Sequence, residues 1–346
     1  MKILGSLFWV AVIVSVVLTG CTTAVKMETA RSLSKEQAIV FGKVNVIVDG
    51  KRIEMTTSGF KSYLTIEFRQ RGSSTIMEYK VDKTGYFYWP LAPGEYEVLG
   101  VYGFSAEVGL FEMKVPLAQP VYIPFTVGPE IESLYLGDLT LELRRTRHLV
   151  QRLDDNYPEA TQEFHKRYPD AHSDPLNRVT KLQPLNPGTY TKETYICGGA
   201  WGIYCSSKNI GVTPSSPDRL QDVVVASTTP TLRWGPSSIP DIKYDVAIYE
   251  AYDSTWRKIN LDLLTGKKRW RRGRLLAYAQ GLTGPTFKPD VALQPDTTYL
   301  WSVRLRRGDT VSTWSQVKNA LIHPEAFWYF AVEQWETWLN FTTPNK

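Results

Sequence analysis

The chain has 346 residues and a mass of 39.3 kDa, a length that fits two domains of ordinary size. With 43% apolar and 22% charged residues it can bury a core and is not globally disordered; three cysteines exclude a disulfide-dense mini-scaffold, and four histidines leave little material for a metal cluster. A formal charge of +5 is too mild to argue for nucleic acid, and 11 Trp and 19 Tyr suit β-rich domains.

Lys2 precedes an apolar run from Leu7 to Leu18, about 12 residues against the roughly 20 that a membrane-spanning helix needs. A basic start, a short apolar run and small residues after it have the pattern of a secretory signal. The run closes on Leu18-Thr19-Gly20-Cys21. That string resembles the lipobox of bacterial lipoproteins; the other reading is an ordinary signal, or a membrane anchor with a chance Cys. The resemblance implies cleavage before Cys21 after its thiol is acylated, and Thr22 in place of Asp implies sorting to the outer membrane. One acyl chain anchors marginally and two or more anchor firmly, at ~0.8 kcal/mol per buried methylene. The expected partner is thus the membrane, through lipidated Cys21. Residues 1–20 would be the signal peptide and residues 21–36, rich in small and polar side chains, a tether. Loss of the leader leaves 39 basic residues against 35 acidic ones.

Residues 37–143 read as an antiparallel β-sandwich. Val44, Val46 and Val48 alternate with Lys43, Asn45 and Ile47, and Asp49-Gly50 follows as a hairpin turn. Leu64, Ile66 and Phe68, then Tyr96 and Val98, then Val121, Ile123 and Phe125 repeat the period of two. The string Asp82-Lys-Thr-Gly85-Tyr-Phe87-Tyr-Trp89-Pro-Leu91-Ala-Pro93-Gly94-Glu-Tyr96 resembles the prealbumin-like modules typified by the regulatory domain of carboxypeptidases. Those modules are non-catalytic appendages. In the turn, Pro93 presets φ and Gly94 is expected to supply a positive φ. Phe87, Trp89 and Leu91 share one face and Tyr86 and Tyr88 the other, while Pro90 marks a sheet edge or strand end. The aromatic run is core and sheet surface, or alternatively a glycan-binding strip.

Residues 144–205 read as a helical connector with a disulfide loop. Asp154, Asp155 and Asn156 precede Pro158 as a helix start, and Tyr157, Ala160, Phe164 and Tyr168 fall on one helical face that Pro169 ends. The two aspartates complement a helix N-terminus better than they fit acid–base chemistry. Four prolines between 169 and 190 give a linker composition. Cys197 and Cys205 are the thiols that remain once Cys21 is acylated, and an oxidising compartment favours a bridge between them. So short a loop contributes ~2.5 kcal/mol by chain entropy.

Residues 206–346 read as a second sandwich. Leu232 and Trp234 open it, and Tyr244, Val246 and Ile248 alternate after them. Leu293-Gln-Pro295-Asp-Thr-Thr-Tyr299-Leu-Trp301 and Ser312-Thr-Trp314-Ser315 resemble fibronectin type III modules. The resemblance implies a core Trp at 234, a tyrosine corner at Tyr299 and a last strand at 341–343. Two insertions depart from it. The first, 252–276, carries Lys267, Lys268, Arg269, Trp270, Arg271, Arg272 and Arg274, six cations in eight residues counting Gly273. It is a solvated hairpin tip, or an anion-capturing one in which Trp270 enters an interface or stacks under Arg. The second, 320–340, places Trp328, Ala331, Val332, Trp335, Trp338 and Leu339 on one face of an amphipathic helix.

The fold expected is therefore mainly β: two antiparallel β-sandwich domains, a short helical Pro-rich connector and one inserted C-terminal helix. G-x-S-x-G, H-E-x-x-H, P-loop, G-x-G-x-x-G and EF-hand patterns do not occur. No enzyme, cofactor or metal site is expected. The leading function is a non-catalytic, membrane-anchored lipoprotein acting as a binding or structural module in the bacterial envelope. Its partner would be an envelope protein or an anionic envelope polymer. A glycan-binding or glycan-processing accessory is the alternative, marked by an exposed aromatic row; a catalyst would show a deep cleft with two carboxylates.

Overall fold

The computed structural model of the chain describes residues 24–27, 36–48, 50–53, 63–108, 113–143, 149–184, 187–194, 214–216, 223–237, 240–254, 270–312, 314 and 338–345. Cys21, the Cys197–Cys205 pair, Lys267, Lys268, Arg269 and residues 320–337 of the expected C-terminal helix lie outside these residues. The architecture is mainly β, as the period-two patterns predict, with two sandwiches and, among the described residues, one helix.

The first sandwich runs through β1 (Ala24–Met27), β2 (Ala38–Val48), β3 (Lys51–Arg52), β4 (Tyr63–Gln70), β5 (Ile76–Lys80), β6 (Tyr86–Leu91), β7 (Gly94–Val108), β8 (Met113–Val127), β9 (Ser133–Leu143) and β10 (Leu149–Asp154). One sheet has the order β1-β5-β4-β7-β8; the other has β10-β9-β2, with β3 and β6 sharing the remaining side of β2. Alternation decides what each sheet buries. Val44, Val46, Leu64, Ile66, Phe68 and Val98 face the space between the sheets. Trp89 is fully buried there, stacked between Phe68 and Phe87 with both ring centroids 4.2 Å away. Tyr86 and Tyr88, one residue out of phase, join a second cluster on the opposite face. Pro90 is tolerated because β6 pairs only with β2.

The Asp82–Gly85 turn forms as its sequence requires. The Asp82 carboxylate accepts from the backbone N–H groups of Thr84 and Tyr86, at 2.8 and 3.0 Å, and Gly85 has φ +92. Any side chain at 85 would meet the Val44 carbonyl oxygen at 2.5 Å. Gly94 corrects the expectation: it has no positive φ. Its small size matters instead, since a Cβ would lie 3.0 Å from the Gln70 amide nitrogen.

Two boundaries differ from the sequence reading. β1 occupies part of the expected tether, pairing parallel to β5 with Ala24 opposite Ile76. β10, inside the expected connector, pairs antiparallel with β9 through residues 149–154. Neither Ala24-Val-Lys-Met27 nor Leu149-Val-Gln-Arg-Leu-Asp154 alternates apolar with polar residues, so neither shows the period of two. The helix α1 (Tyr157–Arg167) follows, and its predicted face is the buried one: Ala160, Phe164 and Tyr168 pack on Phe41, Tyr88 and Tyr135.

After β11 (Leu176–Asn177), which pairs with β9, the second sandwich comprises β12 (Lys192–Thr194), β13 (Pro214–Ser216), β14 (Val223–Val224), β15 (Leu232–Trp234), β16 (Lys243–Asp253), β17 (Trp270–Leu282), β18 (Thr286–Phe287), β19 (Thr298–Arg307), β20 (Thr310–Ser312) and β21 (Leu339–Thr342). A three-stranded sheet, β13-β15-β18, faces the long sheet β12-β20-β19-β16-β17. This order is that of a fibronectin type III-like sandwich, and Trp234, Trp301 and Tyr299 fill its core. The tyrosine corner forms: the Tyr299 hydroxyl accepts from the Gln294 N–H at 2.9 Å. In the first sandwich the Tyr96 hydroxyl donates to the Ala92 carbonyl at 3.0 Å. Both partners directly follow the Leu of a Leu-x-Pro string.

β20 and β21 both pair antiparallel with β19, so the chain leaves this strand edge after Ser312 and rejoins it at Leu339. Leu339 and Asn340 are therefore strand, not the end of the expected helix. The backbone pairing with Trp301 and Leu300 fixes them there.

Candidate functional site

Polar groups concentrate where the two sandwiches meet, on the outer face of β4, β7 and β8. Arg69 of β4 bridges the domains: its Nε lies 2.5 Å from Glu97 Oε1 and its Nη2 2.6 Å from Glu250 Oε1 on β16. Burial opposes the Arg69 charge, but Glu97 and Glu250 more than compensate and hold its pKa above the usual value. The Tyr122 hydroxyl donates to Glu97 at 2.9 Å, and Ser254 Oγ donates to the fully buried Glu67 at 3.0 Å. Tyr252 is hydrogen-bonded to Tyr102 and lies in an apolar cluster with Ile76, Leu99 and Tyr122. Burial, with Tyr102 and Glu67 adding to it, pushes the Tyr252 phenol well up. The connector seals the seam: the Gln183 side chain donates to the Gly273 carbonyl at 3.2 Å and accepts from the Leu275 N–H at 2.7 Å, while its own N–H reaches the Tyr122 carbonyl.

The basic run falls partly into this seam. Trp270, Arg271, Arg272 and Arg274 belong to β17, and the first three pair with Asp253, Tyr252 and Ala251 of β16. The expectation of an exposed tip is corrected for two of them, since Arg271 and Arg272 are 4% and 2% exposed. Alternation sends Arg271 toward the first sandwich, over the Tyr102 ring, and Arg272 to the other face, 4.4 Å from the Trp338 centroid. Stacking on aromatic rings offsets the cost of burying a guanidinium. Trp270 is half-buried in the cluster of Ala247, Tyr249 and Trp338.

Arg272 is one end of a ladder across the outer face of the long sheet. Trp338 stacks on Arg272 and lies 5.2 Å from Trp314, whose ring lies 4.6 Å from the Arg304 guanidinium; the Tyr190 ring lies 4.9 Å from the same guanidinium. Arg304 and Arg306 share Asp245 through bonds of 2.7–3.0 Å. Burial alone would raise the Asp245 pKa; the bonds from Arg306 and the charge of Arg304 reverse this and hold it below the usual carboxylate range. Sequence reasoning missed this ladder. Its one visible signal was the alternation Ser302, Arg304, Arg306 on β19, opposite an apolar inner face.

Next to the seam, β17 and the 288–294 segment enclose a cleft of about 510 Å³ lined by Leu276, Phe287 and Leu293 with Glu250, Arg274 and Asp290. Val291 at this cleft is 75% exposed. Of the described residues of the basic run, Arg274 is the one placed here; it lies 3.6 Å from Glu250. The cleft holds two carboxylates, the pattern that would mark a catalyst. Glu250, however, is bound by Arg69 and faces Arg274, which fits a bridging role better than proton transfer. Among the described residues no cluster of His, Cys, Asp and Glu suited to a metal ion occurs.

No protein-family model and no curated protein matches the sequence. Solved structures that overlap it include the FN1–FN3 domains of chicken CNTN1, at 10% identity and a TM-score of 0.18, covering 84% of this chain and 67% of that one. A DUF3823 family protein from Parabacteroides merdae overlaps at 9% identity and TM-score 0.18, over 78% and 90% of the two chains. A leucine-rich repeat protein from Bacteroides thetaiotaomicron overlaps at 11% identity and TM-score 0.21, over 80% of this chain and 23% of the other. Overlaps this loose carry no argument, and the fold assignment stands on strand order and register.

Proposed function

We propose that this chain is a non-catalytic lipoprotein of the bacterial outer membrane, anchored through acylated Cys21 and presenting two joined sandwiches as a binding or structural module. The observation that carries the reading is Leu18-Thr-Gly-Cys21 behind a short apolar run with a basic start. The seam adds support: Arg69 is spent on Glu250 and Glu67 on Ser254, bonds that join the sandwiches, as suits a scaffold. The run Tyr86–Trp89 does not supply the exposed aromatic row that the glycan-accessory alternative calls for, because its four rings are buried on both faces of β6. Anion capture by the basic run now rests on Lys267, Lys268 and Arg269, with Arg274 at the cleft; its partner would be an anionic envelope polymer or an envelope protein.

Metabolic labelling with palmitate tests the anchor. Wild type should take up label and fractionate with membranes, and Cys21→Ser should take up none and be left uncut or soluble. Equal labelling of the two proteins would remove the lipoprotein reading.

A further inference from the structure

Two residues, Thr22 and Thr23, lie between Cys21 and Ala24, the first residue of β1, a step of three positions. An extended chain advances at most ~3.6 Å per residue, so the Cys21 Cα lies within about 11 Å of the start of β1. β1 runs parallel to β5 with Ala24 opposite Ile76. Adjacent strands are ~4.8 Å apart, which brings the lipid-bearing residue within about 16 Å of Ile76.

Ile76 sits at one defined end of the first sandwich. There β4 turns into β5 through residues 71–75, β6 into β7 through 92–93, and β8 into β9 through 128–132. The register puts these turns level: Gln70 lies opposite Tyr96, Gly94 opposite Val127, and Ala38, opposite Leu91, precedes Ile39, opposite Ser133. Arg71, Ser74, Pro93, Pro129 and Glu130 are exposed there. Lys83 and Thr84 are exposed at the opposite end, beyond the five residues of β5.

We propose that this end of the first sandwich, formed by the turns 71–75, 92–93 and 128–132, stands directly against the lipid headgroups. The inference rests on the proposed acylation of Cys21. Contact is imposed by the two-residue spacing between anchor and β1 rather than by charge: Arg71 is paired with Glu95 at 3.0 Å, and Glu130 and Glu132 add acid to the same end. The module is therefore held in one orientation, with the Asp82–Gly85 turn pointing away from the bilayer.

The test uses full-length acylated protein carrying a fluorescent amino acid in place of Ser74 or of Thr84. Each is reconstituted in phosphatidylcholine vesicles that contain a nitroxide-headgroup lipid. The two positions differ in height by roughly 20 Å, so quenching at 74 should exceed that at 84 by about threefold or more. A long Gly-Ser insert between Thr23 and Ala24 should erase the contrast while leaving acylation intact. Equal quenching at the two positions, stronger quenching at 84, or a contrast that survives the insert overturns the proposal. The mass of the N-terminal peptide separates the causes: acylated protein without contrast sinks the orientation alone, and unacylated protein sinks the anchor as well.

Discussion

The Tyr299 hydroxyl accepts from the Gln294 N–H and donates to its carbonyl, so Tyr299→Phe keeps the ring in the core and removes both bonds. One neutral hydrogen bond is worth about 1 kcal/mol net, and a loss of that size is expected in urea unfolding. A change within error would count against the corner as a fixed element of this sandwich. The Leu-x-Pro string made the Tyr299 corner readable in advance, because Pro and Leu fix a turn whose next strand begins at the Tyr; at Tyr96 the same string predicts only a turn, and the hydroxyl bond to Ala92 comes from the structure. The positive φ assigned to Gly94 was not found, since its place beside Gln70 demands small size and not left-handed geometry. Arg271 and Arg272 were misread for a related reason. Charge density signals exposure only when no aromatic ring lies across the sheet, and Tyr102 and Trp338 reach them from segments distant in sequence.

At the scale of elements, the seam between β4, β7, β8 and the ends of β16 and β17 depends on Arg69. A double-mutant cycle with Arg69→Met and Glu250→Gln should give a coupling of about 1–3 kcal/mol, as for a contacting pair in a shared network. A coupling near zero would mean that the sandwiches are tethered without this bridge. Strands with four or more alternating residues, and the helix face of Ala160, Phe164 and Tyr168, were legible because period alone identifies them. β1, β10 and the division of the last strand into β20 and β21 were not. Each is defined by its partner: β5, β9 and β19 supply the register, and a partner strand is not written in the local sequence. The seam and the cleft beside it were invisible for the same reason, joining Arg69 to Glu250 across 181 positions.

At the scale of the whole molecule, the acylation proposed at Cys21 would join the membrane to a pair of sandwiches that begins three positions later. On that proposal the spacing would turn an anchor into an orientation, and the seam through Arg69 would carry it from the first sandwich to the second. Everything on this scale depends on the mature chain starting at Cys21. The most direct test is mass spectrometry of the N-terminal proteolytic peptide of the protein extracted from membranes. The account predicts a peptide that starts at Cys21 and carries acyl groups on its thiol and α-amino group. An intact leader, a first residue other than Cys21, or an unmodified Cys21 thiol would contradict it.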